Sequence, residues 1–320
     1  MTTDSKTLFV RSLFPTIAVA IWATNAVVSK MATTTIEPGT IAFYRWFVAL
    51  LILTPFCLVE VSRQWLAVKK YLLKLTILAS LGMVLNQSLA YYAAYTTSAT
   101  NIAIFLSLMP LIGLFLAVPL LGAKLHKMIV LGAVISFCGL IYMLSEGNLM
   151  HLVNQGLKQG DLLMLAASCA YALYSVLLNR WNLPLTTWCT VYCQVFLGAL
   201  LQLPLLFSSQ HWGIEIEAWP MVGFAALAAS IIAPWCWLKG VALIGAERAT
   251  LFMNLVPIFT ASISIVLLGV HPTQYHLIGG ALVFLGLTLA QRKPKTMNML
   301  SSLQPSTASQ ANPPLSNDRK

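Results

Sequence analysis

Charge is scarce in this sequence: 9% of its 320 residues are Asp, Glu, Lys or Arg, against 58% that are hydrophobic. A soluble domain carries about 25% charged residues, so this chain needs lipid as its solvent. Carboxylates are the scarcest group of all. None lies in the middle of an apolar run, since Glu37, Glu60, Asp161 and Glu247 all sit at run ends. An embedded carboxylate is the usual proton relay of membrane carriers, so proton coupling through such a group is disfavoured. The five histidines, His126, His151, His211, His271 and His276, lie in loops or at run ends, and all six cysteines lie in apolar segments. Cys189 and Cys193 share a helical face with no histidine near them, which suits small buried thiols and argues against a metal site. Clustered acids, bases or nucleophiles inside the bilayer are missing, which disfavours an enzyme, and nothing calls for a cofactor. A folded soluble domain, natural in a receptor or assembly factor, is also lacking.

What is present is a series of apolar runs. A spanning helix takes about 20 apolar residues, and splitting the runs at Pro, Gly, Asn and charge clusters predicts ten helices. They fall near 13–31, 39–59, 72–94, 98–120, 127–145, 161–180, 187–207, 219–241, 247–269 and 273–291. The first run is too long for a signal-peptide core and has no clear cleavage site, so it is expected to stay as a helix. After Arg292 the composition turns to Pro, Ser, Gln and Asn, and residues 293–320 are expected to form a disordered cytoplasmic tail.

The net charge of +10 would suggest nucleic acid in a soluble protein. Here the bases follow membrane topology instead, so the expected partners are the lipid bilayer and a small-molecule substrate; oligomeric state is not encoded legibly. With the N-terminus inside, the cytoplasmic side holds Lys6, Arg11, Arg63, Lys69, Lys70, Lys74, Lys124, Lys127, Arg180, Arg248, Arg292, Lys293, Lys295, Arg319 and Lys320, fifteen of nineteen bases. Only Lys30 and Lys158 fall outside, and Arg45 and Lys239 within spans. The positive-inside rule selects this orientation.

The two halves resemble each other. Pro55 and Pro204 stand 149 residues apart, as do Trp22 and Tyr171, while Pro110 and Pro257, Gly122 and Gly269, Gly132 and Gly279, and Gly139 and Gly286 stand 147 apart. Five helices per repeat is an odd number, so the second repeat starts on the opposite side of the membrane and the repeats are inverted. The expected organisation is a first repeat at 1–145, an external connection at 146–160 and a second repeat at 161–292. Two inverted bundles around a midplane site can rock between inward-open and outward-open states.

Several ordered pieces carry a family resemblance. They are Ile21-Trp22-Ala23-Thr24-Asn25, Phe43-Tyr44-Arg45-Trp46, Gly160-Asp161-Leu162-Leu163, and two longer runs. One leads from Ser98-Ala99-Thr100 to Leu108-Met109-Pro110, the other from Gly245-Ala246-Glu247-Arg248-Ala249 to Leu255-Val256-Pro257. The chain resembles the drug/metabolite transporter superfamily, in particular its EamA-type members, over about 13–291. The resemblance implies an all-α inner-membrane protein with ten helices. It also implies a cavity formed mainly by the first, third, fourth, sixth, eighth and ninth helices, with the fifth and tenth at the periphery. The implied activity is export or exchange of small metabolites such as amino acids. Members commonly carry Gly-Glu at the ends of the fourth and ninth helices; this chain has Gly122-Ala123 and Gly269-Val270.

Candidate substrate contacts follow from polarity inside the spans. Arg45 lies about 10 Å along its helix from Pro38, and charge there costs about 2.5–3.5 kcal/mol. It has three competing roles: holding a substrate carboxylate, capping a helix C-terminus, or snorkelling to the interface. Lys239, beside Trp235 and Trp237, is either an interfacial anchor or a second cation. Gln87, Tyr91 and Tyr95 share one face of the third helix by the four-residue rule. Asn254 and Ser107 correspond at offset 147, and Asn25 and Tyr174, like Trp22 and Tyr171, at 149. The candidate set is Trp22, Asn25, Arg45, Gln87, Tyr91, Ser107, Tyr171, Tyr174, Trp235, Lys239 and Asn254. Helix-to-helix hydrogen bonding is the competing role for each. Pro110 and Pro257 interrupt the backbone ladder and are candidate hinges. A channel or a non-transporting membrane protein are the alternative readings.

The charge distribution makes a topological prediction: both termini are cytoplasmic and the 146–160 connection is external. Asn148→Cys should react with an impermeant thiol reagent from outside. Reaction only from the cytoplasmic side would overturn the orientation.

Overall fold

Backbone groups in hydrocarbon have no water to bond, so an apolar run satisfies them within itself as a helix. The computed structural model describes residues 3–122, 127–148, 150, 158–245, 249, 251–270 and 273–290. It contains ten apolar helices, α1 (Thr3–Ala32), α2 (Pro38–Arg63), α3 (Leu72–Ala93), α4 (Ala99–Leu121), α5 (Lys127–Leu144), α6 (Gln159–Trp181), α7 (Thr187–Ser208), α8 (Ile216–Ile244), α9 (Met253–Leu268) and α10 (Gln274–Ala290). Eight are long and apolar enough to cross a membrane, and α9 and α10 are shorter. There is no strand among the described residues. A short helix, Trp65–Lys70, joins α2 to α3. Large apolar side chains such as Phe56, Leu66, Leu73 and Val266 point outward, as a lipid-facing surface requires. The expected tail at 293–320 lies outside the described residues, as does most of the 146–160 connection.

Two antiparallel helix pairs organise the rest. In the first, α2 packs along α7 with Trp46, Ala49, Leu53 and Cys57 against Cys189, Tyr192, Cys193 and Ala199. Each end of this pair is clasped. Glu37, at the start of α2, accepts from the backbone N–H of Gln210 (2.9 Å) and His211 (3.1 Å), beyond the end of α7. At the other end Thr186, the N-cap of α7, donates its N–H to Gln64 Oε1 (3.1 Å) and its hydroxyl to Glu60 Oε1 (3.2 Å). Desolvation alone would raise the Glu37 carboxyl, but the hydrogen bonds from His211 and Gln210 outweigh it and hold the pKa below its ordinary value.

The second pair is α5 with α10, and its contact is made of glycine. A Cβ on Gly132 would sit 2.3 Å from the carbonyl oxygen of Gly286, and one on Gly286 would sit 2.3 Å from that of Gly132. Gly139 and Gly279 exclude each other's Cβ in the same reciprocal way. Between them Ser136 donates to Val283 O, 147 residues away (3.3 Å). Small residues let membrane helices approach until backbone touches backbone, which replaces the missing hydrophobic drive with dispersion.

Four of the described helices are not uniform. α3 contains a π segment at Ser80–Leu85 and α8 one at Phe224–Ile232. In α9 a 3-10 turn, Met253–Leu255, precedes the α-helix that carries Pro257 near its start. α7 is also interrupted, at Gln202, just before Pro204. Their repeat counterparts Pro110 and Pro55 lie inside unbroken helices.

Gly286→Ala should lower the stability of the detergent-solubilised protein by about 1–3 kcal/mol, the cost of overpacking, whereas Gly113→Ala, with open space around it, should not. Thermal melts of the two variants compare them. Equal melting temperatures would remove the close α5–α10 contact from the stability argument.

Candidate functional site

One cation is buried where the helices converge. Arg45 is 2% exposed, which rules out snorkelling, and its head group is held entirely by neutral partners. Nε donates to Ser230 Oγ on α8 (2.7 Å), and Nη1 donates to Gln87 Oε1 (2.8 Å) and Tyr91 Oη (3.2 Å) on α3. The guanidinium carbon also lies 5.2 Å from the Trp46 ring centre. Among the described residues no carboxylate meets it. Nη2 has no hydrogen-bond partner there.

The polar chain continues inward. Gln87 Nε2 donates to Asn86 Oδ1 (3.0 Å), and Asn86 Nδ2 donates to the Ala167 carbonyl of α6 (3.0 Å). Five neutral groups and one charge thereby tie α2, α3, α6 and α8 together.

The π segment of α8 explains how α1 joins this cluster. Pro234 has no N–H, and its ring crowds the carbonyl four residues back; widening the helix relieves that crowding. In the π register Ala229 O would receive the N–H of residue 234, which proline lacks. Trp22 Nε1 supplies the missing donor at 3.3 Å. In α3, Met83 O likewise takes side-chain donors, Trp46 Nε1 (3.1 Å) and Gln202 Nε2 (3.2 Å). Such π segments recur at functional sites because they offer backbone groups that a regular helix hides.

Aromatic rings flank the cluster. Trp22 lies against Trp237 with centroids 5.6 Å apart, and Tyr171 against Tyr174 at 5.4 Å. Tyr174 packs over Gly82 of the α3 π segment. All four rings are only partly buried, and neither tyrosine hydroxyl has a hydrogen-bond partner among the described residues. Asn25 Oδ1 is buried and unpartnered.

A vestibule of about 560 Å³ opens at the end of the molecule that carries Glu37, lined among others by Pro38, Tyr92, Tyr95, Gln159 and Gln210. Its volume falls in the range of small-ligand clefts. Tyr95, in the turn that follows α3, is four residues beyond Tyr91, the partner of Arg45, so the vestibule opens near the Arg45 end of α3.

The structure therefore gathers Arg45, Gln87 and Tyr91, with Trp22 one residue from Ser230 through Ala229. It does not gather the whole candidate set. Lys239 and Trp235 are exposed, and the ammonium lies over the Phe14 and Trp235 rings at 5.3 and 4.9 Å, with no hydrogen bond, among the described residues, to the Arg45 cluster. Ser107 satisfies itself by donating to Ile104 O (2.7 Å). Asn254 turns towards α10, where Nδ2 reaches Thr288 Oγ1 at 3.5 Å, because the 3-10 turn that carries it winds more tightly than an α-helix. Ser230 and Pro234 were not singled out from sequence. Ser230 and Pro234 sit in an apolar run with no polar periodicity, so no signal marked them. The buried Asp161, 4% exposed at the start of α6, accepts from Thr97 and from Asn101 of α4. No group of metal-binding residues occurs among the described residues.

Known proteins place this architecture. A solved crystal structure covering 88% of this chain and 96% of its own is similar with a TM-score of 0.60 at 17% identity, a likeness of fold. An uncharacterized transporter, YyaM, of Bacillus subtilis strain 168 is 30% identical over 220 residues, 67% of this chain and 71% of its own. An uncharacterized transporter of Archaeoglobus fulgidus is 24% identical over 285 residues, 85% and 94% of the two chains. The model of the EamA-like transporter family matches twice, at residues 12–145 and 158–291. Matched along nearly all its helical length, the multi-pass membrane protein described above belongs to the EamA-like transporter family.

Proposed function

We propose that this transporter moves a small metabolite bearing a carboxylate, such as an amino acid or related zwitterion, by export or exchange across the plasma membrane. Arg45 carries the reading. A buried guanidinium costs several kcal/mol unless it is paired, yet its partners here are neutral and one of its nitrogens is free. A carboxylate is the natural missing partner because the free Nη2 can donate a charge-assisted hydrogen bond to its oxygen. Gln87, Tyr91 and Ser230 hold the guanidinium in place so that little is lost in ordering it on binding. The vestibule, the α3 polar face and the aromatic pairs supply the path and the walls.

Alternating access between two inverted five-helix repeats, 1–145 and 161–292, is the mechanism that fits. Its support is the α5–α10 contact: helices related by a two-fold axis lying in the membrane cross antiparallel, whereas repeats related by an axis along the normal keep them parallel. Gly132 meets Gly286, the counterpart of Gly139, and Gly139 meets Gly279, the counterpart of Gly132, the reciprocity of a two-fold contact. On this reading α9 and α10 complete ten spans, the termini are cytoplasmic, and Pro257 at its 3-10 turn and Pro110 act as hinges. A channel of the same fold would not give saturable counterflow.

Two measurements in proteoliposomes test the reading. Arg45→Gln should reduce counterflow of labelled amino acids by roughly ten- to a hundred-fold, the value of a hydrogen bond to a charged group, while uptake of the corresponding amines lacking the carboxylate stays unchanged. Equal loss for both probe classes would assign Arg45 to the fold alone. Counterflow should also persist with pH equal on both sides, since no mid-span carboxylate relays protons; its complete loss would reveal a proton path through other groups.

A further inference from the structure

One buried amide has no place in the site so far. Gln194 on α7 is 1% exposed, and its Oε1 has no hydrogen-bond partner among the described residues. It follows Arg45 by 149 residues, the separation that also relates Pro55 to Pro204 and Glu37 to Thr186. Glu37 and Thr186 occupy matching places, each opening its helix and clasping the far end of the other. Gln194 is therefore to α7 what Arg45 is to α2.

The packing agrees with this correspondence. Gln194 shares a helix face with Gly198 and Gln202, four and eight residues on. That face lies on the π segment of α3: Gln202 donates to Met83 O, and a Cβ on Gly198 would sit 2.7 Å from Met83 Cβ. Arg45 in turn reaches the π segment of α8 through Ser230. Because α2 and α7 run antiparallel, the two side chains stand about 10 Å in from opposite ends of the pair.

We infer that Gln194 is the second polar contact of the transport path, in the half of the membrane opposite Arg45, where its amide oxygen accepts from donor groups of the solute such as an ammonium or amide N–H. This rests on the transport reading above. The chemistry of the exchange is asymmetric. Repeat symmetry would put a second cation at this position, and a carboxylate passing between two fixed cations would be held at both. A neutral amide leaves a single strong hold, and transit requires binding that is weak enough to release.

Cysteine accessibility tests the inference without knowledge of the solute. In a background with the six native cysteines replaced, Arg45→Cys and Gln194→Cys are treated with a membrane-impermeant methanethiosulfonate from each side in turn. Each should react at least ten-fold faster from one side, and the two sides should be opposite. Reaction of Gln194→Cys from neither side, or from the same side as Arg45→Cys, overturns the inference. If neither variant reacts, the water path through the central cluster is missing and the transport reading falls with it; if only Gln194→Cys is silent, that reading stands. Should Gln194→Cys fail to fold, Val191→Cys, one turn away on the same face, gives the same readout.

Discussion

The charge of Arg45 is the constraint around which this molecule is built. A guanidinium in hydrocarbon is costly unless its donors are occupied, and the chain occupies Nε and Nη1 with groups from two other helices, α8 and α3. Ser230, Gln87 and Tyr91 must be where they are or the charge is bare. None of these partners carries a negative charge, so the cluster retains its full positive charge. A structural salt bridge would have cancelled it. Neutral ligation leaves it uncancelled, which is what the proposed carboxylate partner requires.

That requirement reaches into the backbone. Ser230 lies in a π segment, and its hydroxyl also donates to Ala225 O, five residues back, the spacing of the wider helix. Pro234 makes the widening favourable by withholding a donor and crowding the preceding turn. Trp22 then closes the deficit at Ala229 O and fixes α1 against α8. A substitution at any of these positions would propagate to the guanidinium through one or two hydrogen bonds, which is the physical content of calling the cluster a unit.

The positions of the apolar helices were legible because lipid imposes a length and an apolar composition that few other structures share. Apart from the start of α1, ten residues ahead of the expected one, and the break ahead of Pro257, the described helices fall within about four residues of the expected ones. Arg45, Gln87 and Tyr91 were legible for the same reason: polarity in hydrocarbon is costly, so it marks itself, and a four-residue spacing gives a face. Faces of uniformly apolar helices were not legible. Lys239 follows two tryptophans in a run with apolar residues all round, and nothing in that run says which side meets the protein. Repeat correspondence supplied depth but not rotation, so it did not show that Ser107 bonds Ile104 O within its own helix or that Asn254 turns to Thr288. The π segments left no trace at all, since they arise from Pro234 and from packing across helices rather than from local propensity.

Departures from symmetry between the halves carry more information than the symmetry. The α5–α10 contact keeps it, because glycine facing glycine leaves no room for change on either side. The clasps keep the geometry and change the chemistry, Glu37 with His211 at one end and Thr186 with Glu60 and Gln64 at the other. The prolines change the mechanics, since Pro204 and Pro257 interrupt their helices while Pro55 and Pro110 do not. At Arg45 and Gln194 the charge itself is lost from one half. A fold whose two sides were identical would bind its solute equally from both, and no structural feature would distinguish loading from release. The fixed charge, Tyr91 and the vestibule all lie on the Arg45 side, so on the transport reading proposed above the two faces of the path would differ in how strongly they hold an anion. That difference is a property of three helices and one guanidinium, and it exists before any solute arrives.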